Sequence, residues 1–343
     1  MKKLLSAFAA CLILITACND DFKVGAPYKE ISVVYFLLSA SDSANYVKVT
    51  KGFYDETQNN LLIAQNADSL YSSNLEVKLE ELLNGNVTNT YLLPQVNLVK
   101  EGYVKNPGVF VDSPNYAFKF KGYVNAKRLY RLTVKNLSTG KTITGQTDAI
   151  DTMPNVFSII NPFTSFDKLN FADPIKTYPF TWSAPSNAVF FDVVIRFWYE
   201  EKNTNTLQTT YKYKDLTVLK NVSANGGSVT AGMNNLDFYK ALNSELGNTP
   251  TYISRYVDTP DLLILAGGRD LKTYIDVNSA QSGITFDQIK PNYTNLTGEN
   301  VFGIISCRST RFLRHIDYND ATYDSIIGGQ YTKNLNIVGK SSR

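Results

Sequence analysis

Histidine and cysteine are nearly missing from this chain of 343 residues, which has one His, His315, and three Cys, at 11, 18 and 307. A zinc site of His and Cys within the chain is thereby excluded, and a Ser-His-Asp triad would have to use His315. Arg311, Arg314 and Asp317 surround that histidine in sequence, the setting of an exposed or salt-paired side chain. No Gly-x-Ser-x-Gly, Gly-x-Gly-x-x-Gly or phosphate loop occurs. Gly226-Gly227 and Gly267-Gly268 therefore read as turn glycines. Charge is also scarce, at 19% of residues, against a usual ~25%. Lys plus Arg is 34 and Asp plus Glu is 31, a net charge of +3. That balance gives no reason to expect a nucleic-acid partner. The expectation is of no catalytic residue, no metal and no cofactor. What remains is 43% hydrophobic, enough for a buried core, in a length that fits two domains of about 100–200 residues each.

The N-terminus has its own logic. Lys2 and Lys3 precede an apolar run from Leu4 to Ala17, broken only by Ser6 and Thr16. The run falls short of the ~20 residues a bilayer-crossing helix needs, and it has the charge and small-residue ending of a secretory signal, residues 1–17. Ile15-Thr16-Ala17-Cys18 resembles a bacterial lipobox, which implies cleavage before Cys18, diacylglycerol on its sulfur and acylation of its amine (a palmitate-type anchor). Several chains on one residue bind a membrane firmly, since each buried CH₂ contributes ~0.8 kcal/mol. The mature chain would keep 326 residues, 343 minus 17. Asn19-Asp20-Asp21 resembles the surface-export signal of Bacteroidota lipoproteins, and Asn19 argues against inner-membrane retention. The expected location is the outer membrane, on the cell surface. Cys11 leaves with the signal and Cys18 carries lipid, so no disulfide forms within the mature chain. Cys307, in the run Val301–Cys307, reads as a buried structural thiol.

Residues 18–27 form a lipidated tether ending in Gly25-Ala26-Pro27. Beyond it the periodicity is two. Leu75, Val77 and Leu79 alternate with Glu76, Lys78 and Glu80; Tyr116, Phe118 and Phe120 with Ala117 and Lys119; Tyr130, Leu132 and Val134 with Arg131 and Thr133. Each run has one face for a core and one for water, as in an antiparallel sheet. Ile31–Leu38, a continuous apolar run, is expected to be buried on both faces. Asn84-Gly85, Asn106-Pro107-Gly108, Ser113-Pro114 and Thr139-Gly140 mark turns. Thr147–Pro154 reads as a linker between an N-terminal domain, 28–147, and a C-terminal domain, 155–343. In the second unit, Phe191, Val193, Ile195, Phe197 and Tyr199 share one face of a strand, while Asp192, Arg196, Trp198 and Glu200 share the other. Further strands are expected at 208–220, 252–257, 261–266, 272–278 and 301–308. One helix is expected, Leu236–Leu246, capped by Asn234 or Asn235 and stopped by Gly247. The fold class is mainly all-β: two β-sandwich-like domains with one short helix in the second.

Leu129–Asn136, the Thr139-Gly140 turn and Lys141–Thr147 resemble the closing hairpin of an immunoglobulin-like or fibronectin type III-like sandwich. Phe180-Thr181-Trp182 followed by Ala188–Tyr199 resembles the early Trp strand of a second one. That resemblance implies Trp182 as a core anchor between two sheets. More broadly, the order of lipobox, tether, Tyr46–Lys51, Ala67–Leu79, Tyr293–Leu296 and Phe302–Arg308 is similar to Bacteroidota surface lipoproteins, including those grouped as the domain of unknown function DUF4249. The resemblance implies a compartment and a β fold and brings no catalytic residues.

For function, the aromatics are the best material. Tyr is 22 and Phe 19, and a tyrosine ring offers an apolar face with a polar tip. Trp198, Tyr199, Tyr211 and Tyr213 form the cluster singled out for ligand contact. Asp192, Glu200 and Glu201 are the carboxylates a glycosidase would draw on. Asp317-x-Asn319-Asp320 offers oxygens but lacks the glycine and terminal Glu of an EF-hand loop. Four tripeptides, centred on Ser43, Ser69, Thr152 and Ser325, resemble the Bacteroidota O-glycosylation sequon, and each also reads as a turn. The expectation is a binding or assembly-accessory lipoprotein. Its membrane partner is reached through the N-terminal lipid, and its other partner is a glycan, a peptide or an outer-membrane transporter. The alternatives are a carboxylate-dependent surface polysaccharide hydrolase and a plain stalk.

Overall fold

The structure is a computed structural model that describes residues 31–52, 59–153, 168–224, 227–279, 292–314 and 316–342. Cys18, its tether and His315 lie outside the described residues.

In chain order the first strands are β1 (Ile31–Ser39), β2 (Asn45–Gly52), β3 (Leu75–Leu83), β4 (Asn86–Leu92), β5 (Gln95–Asn97), β6 (Tyr116–Phe120), β7 (Leu129–Asn136) and β8 (Thr142–Asp148). They are followed by β9 (Thr177–Ser183), β10 (Phe190–Asn203), β11 (Thr209–Ser223), β12 (Ser228–Asn234), β13 (Ile253–Val257), β14 (Asp261–Gly267), β15 (Val301–Leu313) and β16 (Ile337–Lys340). The helices are α1 (Asn60–Ala64), α2 (Ala67–Leu70), α3 (Asn235–Leu246), α4 (Arg269–Ser279) and α5 (Asp320–Gly328).

A ten-stranded sheet runs β16-β13-β10-β14-β15-β1-β2-β6-β5, with β11 as the tenth strand off this path beside β10. β13 and β14 share one edge of β10, taking Tyr199–Asn203 and Phe190–Arg196 respectively, and β11 takes the other edge. Strands from both 28–147 and 155–343 thus build one sheet. The seam is β1 against β15, the two running parallel with Val34 opposite Gly303. Gly303 has φ 101°, and a Cβ there would stand 1.9 Å from the Val34 carbonyl oxygen, so only glycine fits.

One face of this sheet covers the core. A four-stranded sheet, β4-β3-β7-β8, packs under its N-terminal half. Val34, Phe36, Val47 and Phe118 meet Val77, Leu79, Tyr130 and Leu132 there. Each fully buried side chain of this kind contributes about 1.5–3 kcal/mol. Under the other half lie α3 and the two-stranded sheet β12-β9, where Phe191, Ile195 and Phe197 meet Trp182, Phe238 and Leu242. Trp182 is 1% exposed, and its ring lies edge-on to Phe191 at 5.4 Å. The fold is mainly β and sandwich-like, and Trp182 anchors its second core.

Local expectations hold in most places. Asn84 and Gly85 both have positive φ in the β3–β4 turn, as does Gly140 between β7 and β8. The side chain of Asn234 accepts from the Leu236 amide at the start of α3, and Gly247 ends it at φ 61°. Other expectations are corrected. Residues 272–278 form most of α4, not a strand. Lys272 pairs with Asp276 one helical turn on, Ser306 Oγ accepts from the Leu271 amide at 3.0 Å, and no residue of α4 is buried. α5 and the short α1 and α2 add helices beyond the one expected. Asn319 starts α5 by accepting from the Thr322 amide at 2.9 Å. β1 is not buried on both faces, because Tyr35 is 39% exposed. Gly267 and Gly268 are packing glycines: a Cβ on Gly268 would lie 2.5 Å from Cys307 Sγ. Residues 149, 150 and 153 of the interdomain stretch (Ala, Ile, Met) are buried.

Candidate functional site

The core occupies one face of the ten-stranded sheet, and the opposite face carries the site. Alternation along β10 sends Arg196 and Trp198 outward, and antiparallel register sets Asp215 beside Arg196 and Tyr213 beside Trp198. Tyr211 stacks on Trp198, with 8° between planes and 5.0 Å between centroids, and Tyr213 tilts against the same indole at 4.8 Å. Arg196 sits over the Tyr213 ring with Cζ 4.2 Å from the centroid. Rings and guanidinium in this arrangement attract by roughly 0.5–1.5 kcal/mol per contact.

Carboxylates lock the group. Trp198 Nε1 donates to Asp261 Oδ2 at 2.9 Å and Tyr211 Oη to Asp258 Oδ2 at 2.7 Å. Arg196 grips Asp215 with Nε and Nη2 at 2.7 and 2.8 Å, the bidentate geometry that fixes a guanidinium plane. Tyr211 is nevertheless 39% and Tyr213 47% exposed. The result is a preorganised aromatic surface facing solvent, suited to stacking on the apolar face of a sugar ring or a flat side chain.

Tyr199 does not join it. As the next residue along β10 it points to the core, 3% exposed, where burial pushes its hydroxyl pKa up. The sequence-selected carboxylates do not form a catalytic pair. Asp192 and Glu200 share a face but stand eight residues apart, ~26 Å along a strand, against the ~5–9.5 Å a glycosidase uses. Asp192 accepts from the Asn221 amide at 2.7 Å. Glu201 faces inward and pairs with Arg255 at 3.0 Å and with Lys212. Burial would raise its pKa, but those two cations hold it below the ordinary carboxylate range. Asp317 pairs with Lys168 at 2.8 Å and accepts from Tyr323, while Asn319 caps α5. Among the described residues no group of three potential metal ligands occurs. Cys307 is buried, and burial drives its thiol pKa up to about 12, the state of an inert structural thiol.

Of the four sequon-like positions, Ser43 and Thr152 are exposed outside helices and strands. Ser69 and Ser325 correct the expectation of turns. They lie in α2 and α5, half-buried, and Ser325 Oγ donates to the Ala321 carbonyl.

Sequence reasoning missed the residues that hold the aromatic surface in place. Arg196 was visible, two positions from Trp198 on the same face. Asp258 and Asp261 approach only because β13 and β14 line up end to end along β10. Also unforeseen is a second feature of the outer face, a cavity of about 570 Å³ over β1, β2 and β6, roofed by the loop that carries Leu98, Tyr103 and Lys105. No helix among the described residues is long and apolar enough to cross a membrane.

The fold and this face together define a mainly β, sandwich-like protein with a broad open sheet surface. No protein-family model matches the chain, and no curated protein matches it.

Proposed function

We propose that the protein is an outer-membrane lipoprotein, anchored at the cell surface through Cys18, whose outer sheet face binds carbohydrate. The observation that carries the binding reading is the exposed pair Tyr211 and Tyr213 packed on the partly buried Trp198, tied down by Asp258 and Asp261 and flanked by Arg196. Sugar rings stack on such surfaces through their C–H faces, and each large ring buries 150–250 Å². The lipobox-like Ile15–Cys18 and the Asp20-Asp21 tether support the location. Asp215, Asp258 and Asp261 are each engaged by an aromatic or guanidinium neighbour, which suits holding a ligand better than proton transfer.

The test is retention of the full chain on a panel of immobilised polysaccharides. Wild type is expected to bind at least one, and Trp198→Ala and Tyr213→Ala to lose about tenfold or more in affinity, the worth of about one stacked ring. Shortening of the glycan during the assay would instead mark a hydrolase. Intact-mass measurement of membrane-extracted protein tests the anchor: a chain starting at an acylated Cys18 is expected, and an unmodified Cys18 contradicts it.

A further inference from the structure

The cavity over β1, β2 and β6 has unusual electrostatics. Its walls are largely apolar and aromatic: Tyr35 and Leu37 from β1, Tyr46 from β2, and Leu98 and Tyr103 from the roof. Among them sits Lys48, half-buried on β2. The ammonium donates to Tyr71 Oη at 2.8 Å, Asn115 Oδ1 at 2.5 Å and the Tyr116 carbonyl at 2.8 Å. All three acceptors are neutral. Among the described residues no carboxylate lies within ion-pairing distance of Lys48, although sixteen other such pairs are present. Two further cations line the cavity. Lys105 is held by the Phe110 and Val111 carbonyls and by Asp112, and Arg308 pairs with Asp42. Among the described residues Asp42 is the only acidic one in the lining. Asn115, fixed through its oxygen, makes no hydrogen bond with its side-chain amide nitrogen among the described residues.

A half-buried cation whose partners are all neutral attracts an anion that supplies the missing charge, and more strongly than it would in bulk water. We propose that this cavity binds a small organic anion, a carboxylate on an apolar or aromatic body, with the carboxylate accepting from the Asn115 amide and attracted by the positive charge of Lys48, and the body against Tyr35, Tyr46 and Tyr103. The volume of about 570 Å³ lies within the roughly 300–1,000 Å³ of small-molecule sites. The proposal is independent of the carbohydrate reading, since it uses other residues of the sheet.

A pH dependence follows. Burial, then the charge of Lys105, lowers the Lys48 pKa to about 8. The other titratable or charged groups around it are Tyr35 on β1, Tyr46 on β2, Tyr71 after α2, Tyr116 on β6, Lys105 and Tyr103 in the roof, and the Arg308–Asp42 pair. Burial pushes Tyr35 up to about 12 and moves Tyr46 and Tyr71 upward as well. An anion that needs the protonated lysine binds below about pH 8 and is released as pH rises through it.

The experiment is calorimetric titration of the full chain with phenylacetate and hexanoate, each against its neutral amide. The carboxylates are expected to bind about tenfold or more tightly than the amides, with affinity falling above about pH 8. Lys48→Met is expected to abolish the preference for the acid. Tyr103→Ala is expected to weaken both partners of a pair, while Tyr123→Ala, at 83% exposed and outside the cavity, changes nothing. If Lys48→Met does not fold, Tyr103→Ala and the wild-type pH profile still decide. Equal binding of acid and amide, a flat pH profile, or no binding of either acid overturns the proposal.

Discussion

Trp182 and Trp198 are the only two tryptophans, and they divide the labour of the protein between core and surface. Trp182 is 1% exposed, and its Nε1 has no hydrogen-bond partner among the described residues. Its contribution is therefore apolar burial alone. Trp182→Ala is expected to cost about 3–5 kcal/mol and Trp182→Phe much less, since no hydrogen bond is lost; urea midpoints of the two variants check this. Lys48 carries the second residue-scale prediction. Its folded pKa of about 8 lies below the ordinary lysine value of 10.5. Between those two pH values the unfolded chain binds more protons than the folded one, so stability rises with pH there, and below about pH 8 the full penalty is present. Wild type is expected to gain stability relative to Lys48→Met as pH rises through that window. Parallel denaturation curves for the two proteins at every pH would refute it.

At the scale of elements, β10 was the most legible part of the sequence and α4 the least. The alternation from Ile195 to Tyr199 states which side chains meet the core, because a strand has a period of two whatever it pairs with; before it, Phe190 and Val194 on the other face are buried too. It even places Tyr199 and Trp198 on opposite faces, which is why grouping them in one site failed. The segment 272–278 alternates well enough to pass for a strand, but tertiary contacts decide its state: the Leu271 amide is taken by Ser306, and Tyr274 meets the Tyr35 hydroxyl at 3.0 Å. The β1–β15 seam was illegible, since nothing local announces a partner at the other end of the chain. Arg255 ties several elements together. It reaches Glu201 on β10 at 3.0 Å and the Leu246 and Gly247 carbonyls that end α3, a favourable place for a cation. Its guanidinium and the Glu201 carboxylate are only 8% and 14% exposed. Arg255→Ala is expected to cost about 1–3 kcal/mol, since the carbonyls that end α3 lose their donor while Glu201 keeps Lys212 as a partner. Because Glu201 is held below the ordinary carboxylate range, the stability it contributes is present above that range and is lost as pH falls through its own pKa. The wild-type chain should therefore lose more stability on acidification than Glu201→Gln, measured by thermal melts.

For the whole molecule, one sheet spans both halves and separates the packed cores from the exposed face. Its inner face holds two cores, and its outer face holds the aromatic surface and the lysine-bearing cavity. Residues 28–150 expressed alone would leave β1 without β15, exposing a strand edge. Aggregation or a disordered circular dichroism spectrum is expected, and a monomeric folded fragment would show that the shared sheet is dispensable. The outer face also supplies the most direct test of carbohydrate binding. In Trp182→Phe, Trp198 becomes the sole indole and reports on that face alone. When a polysaccharide retained by the wild-type chain is added, acrylamide quenching of Trp198 fluorescence is expected to fall as the ligand covers the ring. Retention of the polysaccharide with quenching unchanged would place the binding elsewhere and contradict the account.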